Sequence, residues 1–297
     1  MALQGKVVLV TGANGFLGSR VVERLAREGL KVRALIRRPE SQAELTRLGA
    51  EPLIGEVTDA ATQRAAVRGA HFVVHSVATA SQDLAEARRI NAESAAGLAA
   101  ASLAEGCERF VHISTLAVYD MRGRDTVDEA TPLVTQGDAY SVTKAEADRA
   151  VLAAIEKGLK GVILRPPLIL GVHPTSTWGT LIPRALAAGQ FALVDGGRTR
   201  IGYVHVDRLV EVIFRALQID GAVGQVFNVV DGNIAWRQYT DYFTKAPLPE
   251  ASPDQVPSFL SFRGTLLGEK TQRILGLAPK DTFEAAMAEI LASARQA

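Results

Sequence analysis

Cysteine is nearly missing from this chain: Cys107 stands alone among 297 residues. A single thiol excludes an intrachain disulfide framework and argues against a cysteine metal cluster. It reads instead as a small hydrophobe where a helix hands over to a strand. Charge of one sign is missing as well, since 33 Lys+Arg stand against 32 Asp+Glu. No basic field is available to attract nucleic acid, and no charge run forms a solvating tail. Long apolar runs are also absent, because charge or glycine interrupts each one before it reaches bilayer-spanning length. The opening residues Met1 to Lys6 lead directly into a strand without the apolar segment of a signal peptide. The expectation is a cytoplasmic protein with no membrane and no nucleic-acid partner. The five histidines (His71, His75, His112, His173, His205) show no metal-ligand spacing, so no metal is expected. His75 and His112 fall on strands and read as satisfied core histidines. No solenoid-type repeat or low-complexity linker is visible.

What is present is a 47% hydrophobic chain long enough for a substantial core. Short β-branched runs at Lys6–Val10, Val32–Ile36, Glu51–Ile54, Phe72–His75, Arg109–Ser114 and Gly161–Leu164 read as six buried strands. Helical periodicity falls between them, at Phe16–Glu28, Ser41–Leu48, from Thr58 or Asp59 to Arg68, from Asp83 to Glu105, and from Asp138 to Lys157. Strands alternating with helices predict an α/β fold, a doubly wound parallel sheet of Rossmann type covered on both faces. Beyond Arg165-Pro166-Pro167 the rhythm changes. A helix at Trp178–Ala188, short strands at Phe191–Val194 and Tyr203–Val206, a helix at Asp207–Leu217 and a strand at Gln225–Val230 follow, before a tail of two or three helices. The expected organisation is a dinucleotide-binding domain over 1–165 and a small C-terminal substrate-binding lid over 166–297, with 201–230 returning to the main sheet.

Three short motifs carry the chemistry. The first is Thr11-Gly12-Ala13-Asn14-Gly15-Phe16-Leu17-Gly18, which closes a strand and opens a helix. In that context Gly12 permits the tight turn, Gly15 lets backbone approach a pyrophosphate, and Gly18 lets helix and strand pack closely. The phosphates would then meet the free N–H groups of the helix N-terminus. The alternative is a glycine-rich turn without a ligand. At the end of the second strand, where an acid would bind the ribose of NAD, the chain has Arg37 and Arg38. Two guanidiniums without a carboxylate favour a 2′-phosphate, hence NADP(H), with NAD as the second choice. The bland alternative is a pair of solvated arginines. Glu56 and Val57, after the third strand, are expected beside the adenine. Ser76, Val77, Ala78 and Thr79, after the fourth, are expected along the path to the nicotinamide.

The second motif is Ser114-Thr115, ending the fifth strand, and the third is Tyr140-Ser141-Val142-Thr143-Lys144. Tyr140 and Lys144 share a helix face one turn apart. A free phenol, with a pKa near about 10, is a poor base at neutral pH. A neighbouring ammonium and the helix dipole are expected to lower it. Thr115 would orient the substrate oxygen while Tyr140 gives or takes its proton. Trp178 is read as a packing residue, with a place in the pocket wall as the alternative.

With these motifs in this order, the chain resembles the extended short-chain dehydrogenase/reductase superfamily, the NAD-dependent epimerase/dehydratase family, from the first strand to about Val230. The resemblance implies that Thr115, Tyr140 and Lys144 are catalytic and that Ser114, Asn91 and Pro167 lie near the cofactor. It further implies a homodimer formed through the two helices that flank the fifth strand. Glu56 stands where the family usually has Asp, and Asp120 replaces a usual glycine. Leu116-Ala117 follow Thr115 in place of the Asp-Glu of sugar-nucleotide dehydratases, which argues against dehydration. The leading expectation is an NADP(H)-preferring oxidoreductase acting on a hydroxyl/keto pair of a small organic substrate. The Pro-Pro loop and Tyr203-Val204-His205-Val206-Asp207 lean towards the hydroxysteroid-dehydrogenase and dihydroflavonol-reductase branch. Its rivals are a nucleotide-sugar epimerase with tightly held NAD(H) and a non-catalytic dinucleotide-sensing regulator.

Overall fold

The computed structural model describes residues 3–295. Strand β1 (Val7–Thr11) is followed by α1 (Phe16–Arg27), β2 (Lys31–Ile36), α2 (Gln42–Arg47), β3 (Ala50–Ile54), α3 (Ala60–Val67) and β4 (Phe72–His75). The next elements are α4 (Leu84–Ala87), α5 (Ser94–Glu105), β5 (Arg109–Ile113), the short β6 (Thr126–Val127), α6 (Ala139–Glu156) and β7 (Gly161–Arg165). Then come β8 (Leu168–Leu170), α7 (Ile182–Ala187), β9 (Arg200–His205), α8 (Val206–Gln218), β10 (Val226–Asn228) and β11 (Gly232–Ala235). The described chain closes with α9 (Trp236–Thr240), α10 (Ser258–Ser261), β12 (Thr265–Leu266), α11 (Glu269–Leu275) and α12 (Phe283–Ala294).

Seven parallel strands form the main sheet in the order β10-β7-β5-β4-β1-β2-β3. The six strands read between the early helices all lie in it, and β10, within the strand expected at Gln225–Val230, is the seventh, at one edge. Successive side chains of a strand point to opposite faces, and the core divides accordingly. Val8, Val10, Val32, Ala34, Val74 and Val111 pack with residues of α1 and α8 on one face. Leu9, Leu35, Val73, Phe110 and Ile163 pack with residues of α3, α5 and α6 on the other. The chain order reverses at β1, which has β2 on one side and β4 on the other. Open α/β sheets bind ligands outside the carboxyl ends of strands at such a switch point. A third apolar cluster, with Trp236, Tyr239, Phe262 and Phe283, gathers the later segments around the three-stranded sheet β11-β9-β8.

Three details depart from the sequence reading. The helix expected from Asp83 to Glu105 contains a π turn at Arg88–Glu93 between α4 and α5. That turn carries the buried Asn91, whose amide donates to Thr79 O (3.0 Å) and Thr143 Oγ1 (3.0 Å) and accepts from the Thr79 N–H (2.8 Å). No strand forms at Phe191–Val194. Only Leu193 pairs, in a single bridge to Glu250, because Asp195, Gly196 and Gly197 all take positive φ and turn the chain away. The strand expected at Tyr203–Val206 is β9, displaced towards Arg200 and paired in the smaller sheet. Among the described residues no helix is long and apolar enough to cross a membrane.

Candidate active site

A cleft of about 480 Å³ opens where the carboxyl ends of β1, β4, β5 and β7 meet the later segments. Of the residues singled out from sequence, it brings together Phe16, Leu17, Ser76, Ala78, Thr79, Ser114, Thr115, Tyr140, Lys144 and Pro167. Gly12, Asn14, Gly15 and Gly18 form the turn behind Phe16. Arg37 and Arg38 follow β2 and Glu56 follows β3, all exposed; Val57, half-buried, follows Glu56. None of these four lines the cleft, yet parallel pairing of β1, β2 and β3 sets them along the same rim. Val77 is also outside the lining. Asn91 is fully buried, and its amide ties the Thr79 loop to α6 instead of facing the cleft.

The glycine turn is as tight as its spacing implies. Gly12 sits at φ +70°, and a Cβ on it would meet Ser76 Oγ at 3.0 Å. A Cβ on Gly18 would lie 2.0 Å from the Gly12 carbonyl oxygen. Gly15 is the N-cap of α1 and supplies no side-chain cap; among the described residues a side chain, Thr175 Oγ1, meets the N–H of Phe16 in the first turn of this twelve-residue helix. Opposite it, Ser114 Oγ is buried without a hydrogen-bond partner among the described residues. A helix N-terminus suits phosphate, and an orphaned buried hydroxyl calls for a polar ligand group. The residues present therefore fit a dinucleotide.

Helix α6 positions Tyr140 and Lys144. Asp138 caps it, accepting from the Ser141 N–H at 2.9 Å, which places Tyr140 in the first turn and Lys144 in the second. Lys144, 1% exposed, donates from Nζ to the Ile113 carbonyl at 2.8 Å, tying α6 to the strand that ends in Ser114-Thr115. Burial pulls its ammonium down to about 8, against Asp148, which pulls it up. The half-buried Tyr140 phenol behaves otherwise than expected: its pKa is raised, not lowered. Withdrawal from water is the largest cause; the hydrogen bond to the Thr115 side chain opposes it, and Asp138 and Asp148 add to it. The ammonium expected to acidify the phenol is hydrogen-bonded to the Ile113 carbonyl instead.

Several cleft residues carried no sequence signal. Thr175 Oγ1 accepts from the Phe16 N–H at 3.2 Å, and His173 stacks on the Phe16 ring at 5.9 Å, so the loop after β8 sits directly on the glycine turn. Asn14 Nδ2 donates to Ser41 Oγ at 3.2 Å. Pro257 and Phe259 reach the cleft from far along the chain, and Ile201 from β9. Trp178 lines it while packing on Trp236 at 5.5 Å, so it both packs and walls the pocket. Among the described residues, the charged side chains lining the cleft are Asp138 and Lys144 alone. His75 and His112 lie beneath it, fully buried and stacked at 5.5 Å. They are not the satisfied core pair expected. His75 Nδ1 meets Thr11 Oγ1 at 2.7 Å, but its Nε2 and both ring nitrogens of His112 have no hydrogen-bond partner among the described residues.

Comparison with known proteins agrees with this geometry. Residues 8–230 match the family described as NAD dependent epimerase/dehydratase. A 4-hydroxy-2-methyl-3-oxo-4-farnesyl-3,4-dihydroquinoline-1-oxide ketoreductase of Stigmatella aurantiaca is 32% identical over 271 residues, 90% of this chain and 80% of its own length. A decarboxylating sterol-4-alpha-carboxylate 3-dehydrogenase of Dictyostelium discoideum is 27% identical over 251 residues, 80% of this chain and 75% of that protein. In fold, the chain is similar to the UDP-glucose 4-epimerase of Thermotoga maritima, with a TM-score of 0.82 at 20% identity over 98% of this chain and 99% of the other. The chain belongs to the NAD dependent epimerase/dehydratase family and is an enzyme of the extended short-chain dehydrogenase/reductase type.

Proposed function

We propose that this enzyme reduces a ketone to a hydroxyl, or the reverse, on a small apolar organic substrate, with NADP(H) as the preferred cofactor. The observation that carries this reading is the meeting of Thr115, Tyr140 and Lys144 in a cleft whose other walls are mostly apolar: Leu116, Ala117, Pro167, Ile201, Trp178, Pro257 and Phe259. When bound across the glycine turn, the nicotinamide supplies the hydride. Tyr140 supplies the proton to the substrate oxygen, and the raised pKa of its phenol keeps that proton in place until it is needed. Thr115, which lines the cleft with the phenol, orients the same oxygen. Lys144 fixes the helix against β5 through the Ile113 carbonyl and sets a positive charge one helical turn from Tyr140. Arg37 and Arg38, exposed at the end of β2, receive the 2′-phosphate. Residues 1–165 hold the cofactor, and segments of 166–297 shape the substrate pocket.

The apolar walls argue for a ketoreductase over a sugar-nucleotide epimerase. A nucleoside diphosphate carries negative charge that desolvates at high cost unless cations meet it. The charged lining of the cleft is one lysine, already engaged with a carbonyl, and one aspartate. The relatives are consistent with this choice, one being named a ketoreductase of a farnesylated dihydroquinoline oxide and the other a sterol 3-dehydrogenase.

The test is turnover of a panel of bicyclic and steroidal ketones with added NADPH, followed by absorbance at constant pH. Tyr140→Phe is expected to lower kcat by about 10²- to 10⁴-fold while NADPH still binds. Unchanged turnover in that variant would overturn the assignment. Protein that purifies with firmly held NAD(H) and interconverts UDP-sugars unaided would replace it with the epimerase reading. Binding without any turnover would leave a dinucleotide sensor.

A further inference from the structure

Helix α6 places Tyr140, Lys144 and Asp148 at successive intervals of four, hence along one face. Asp148 is wholly buried and one turn beyond the lysine. Its Oδ2 accepts from Arg165 Nε at 2.8 Å. Arg165 is itself immobilised: it donates to the Tyr119 hydroxyl at 2.8 Å and lies 4.7 Å above the Tyr119 ring. That hydroxyl in turn donates to Asn228 Oδ1 at 2.7 Å. The other carboxylate oxygen, Oδ1, has no hydrogen-bond partner among the described residues, and its charged neighbourhood is crowded. His112 Nε2 stands 3.5 Å away from β5, with His75 stacked behind it from β4. Both imidazoles are held neutral by burial and by Lys144. Arg165 comes from β7, Tyr140 and Lys144 share α6, and Glu129 accepts from the Asn228 N–H at 2.9 Å.

Arg165 engages only one oxygen of the carboxylate. A buried ion pair by itself is weak evidence of a stabilising role. What this one delivers is a fixed negative charge one turn from a buried ammonium. We propose that Asp148 is a positioning residue for the Tyr140–Lys144 pair: anchored by Arg165, its carboxylate keeps Lys144 charged and docked on the Ile113 carbonyl. This rests on the reading that Tyr140 and Lys144 carry the chemistry. Burial alone drives a lysine towards neutrality, and Asp148 is the group that opposes it here.

The experiment compares wild type, Asp148→Asn and Asp148→Glu by kcat–pH profiles from pH 6 to 10 and by Nζ titration of Lys144 in protein labelled with ¹⁵N-lysine. In Asp148→Asn the alkaline limb and the Nζ titration are expected to move together to lower pH by about one unit or more. For a one-unit move from about 8, the rate at pH 8 falls about fivefold, and proportionally less at pH 6. Asp148→Glu is expected to restore the limb. A uniform loss at every pH, or an unmoved Nζ titration, would overturn the proposal and leave Asp148 a packing residue. Should Asp148→Asn fail to fold, the double variant Asp148→Asn/Arg165→Met removes both buried charges, and the same displacement is expected. The Nζ titration needs no turnover, so it stands even if the ketoreductase reading fails.

Discussion

Acidification is expected to weaken this fold through two histidines. His75 and His112 are fully buried against each other, and burial pulls both below the ordinary value near 6.5, His75 to about 3. Both stay neutral in the folded protein at mild acid, whereas the unfolded chain takes up a proton at each as the pH drops through about 6.5. Protons bound preferentially by the unfolded state cost stability. The contribution is therefore complete above pH 6.5 and is lost on descent towards the folded-state values. Between pH 6.5 and 5 the loss is about 1.5 kcal/mol for His75. His112, shifted in the same direction, adds to that loss. With an unfolding entropy of about 2.1 cal/mol/K per residue, 297 residues convert the His75 loss alone into a Tm lower by about 2 °C. His173, also lowered but partly exposed, contributes less in the same direction. The assay is urea unfolding at pH 6.5, 5.75 and 5 at fixed ionic strength, in wild type and in His75→Gln, which retains a partner for Thr11 Oγ1. The variant is expected to lose less than wild type by about 1.5 kcal/mol, the share due to His75. An equal loss in both, or none in wild type down to pH 5, would refute the reasoning.

Two further outcomes test the cofactor half of the site. Gly18→Ala places a Cβ 2.0 Å from the Gly12 carbonyl oxygen and 2.7 Å from its carbon, so backbone must move. The expected cost is about 1–3 kcal/mol, with weakened dinucleotide binding, read by thermal unfolding and by titration. Wild-type values in both would show that the turn tolerates a side chain. Replacing Arg37 and Arg38 together by Ala is expected to weaken NADPH by about tenfold or more and NADH hardly at all. Equal effects on the two, measured by fluorescence titration, would reject the phosphate assignment.

The main sheet was legible because its strands are short β-branched runs between helices of regular apolar spacing, and each signal is local. The placing of Tyr140 and Lys144 on one helix face was legible for the same reason, since they stand four residues apart. What escaped depends on contacts distant in sequence. Thr175 meets Phe16 across 159 positions, and Tyr119 meets Asn228 across 109, with nothing in either local pattern to pair them. The π turn at Arg88–Glu93 was invisible because one inserted residue scarcely disturbs a helical apolar pattern. Asp148 could have been found, because it repeats the same four-residue interval from Lys144. The sign of the Tyr140 shift could not, since it depends on where the ammonium docks and how much water the cleft excludes.

The site thus divides by origin. The groups that would handle the proton come from the sheet and α6, over a buried layer in which His75, His112, Asp148, Arg165 and Tyr119 touch one another. Charge in that layer tolerates little change, because removing either member of a buried pair strands the other without solvent. The walls that would touch substrate come from elsewhere: Trp178 after β8, Ile201 on β9, and Pro257 and Phe259 on the segment around α10. These are apolar side chains, for which changes of size and shape cost far less than an unpaired charge. Under the proposed reading, a chain built this way can alter which ketone it accepts through those four positions without disturbing the electrostatics beneath Lys144. On that reading, Phe259→Ala would change the relative kcat/KM among ketones and leave the alkaline limb of each profile where it was, whereas Asp148→Asn would move that limb for every ketone alike.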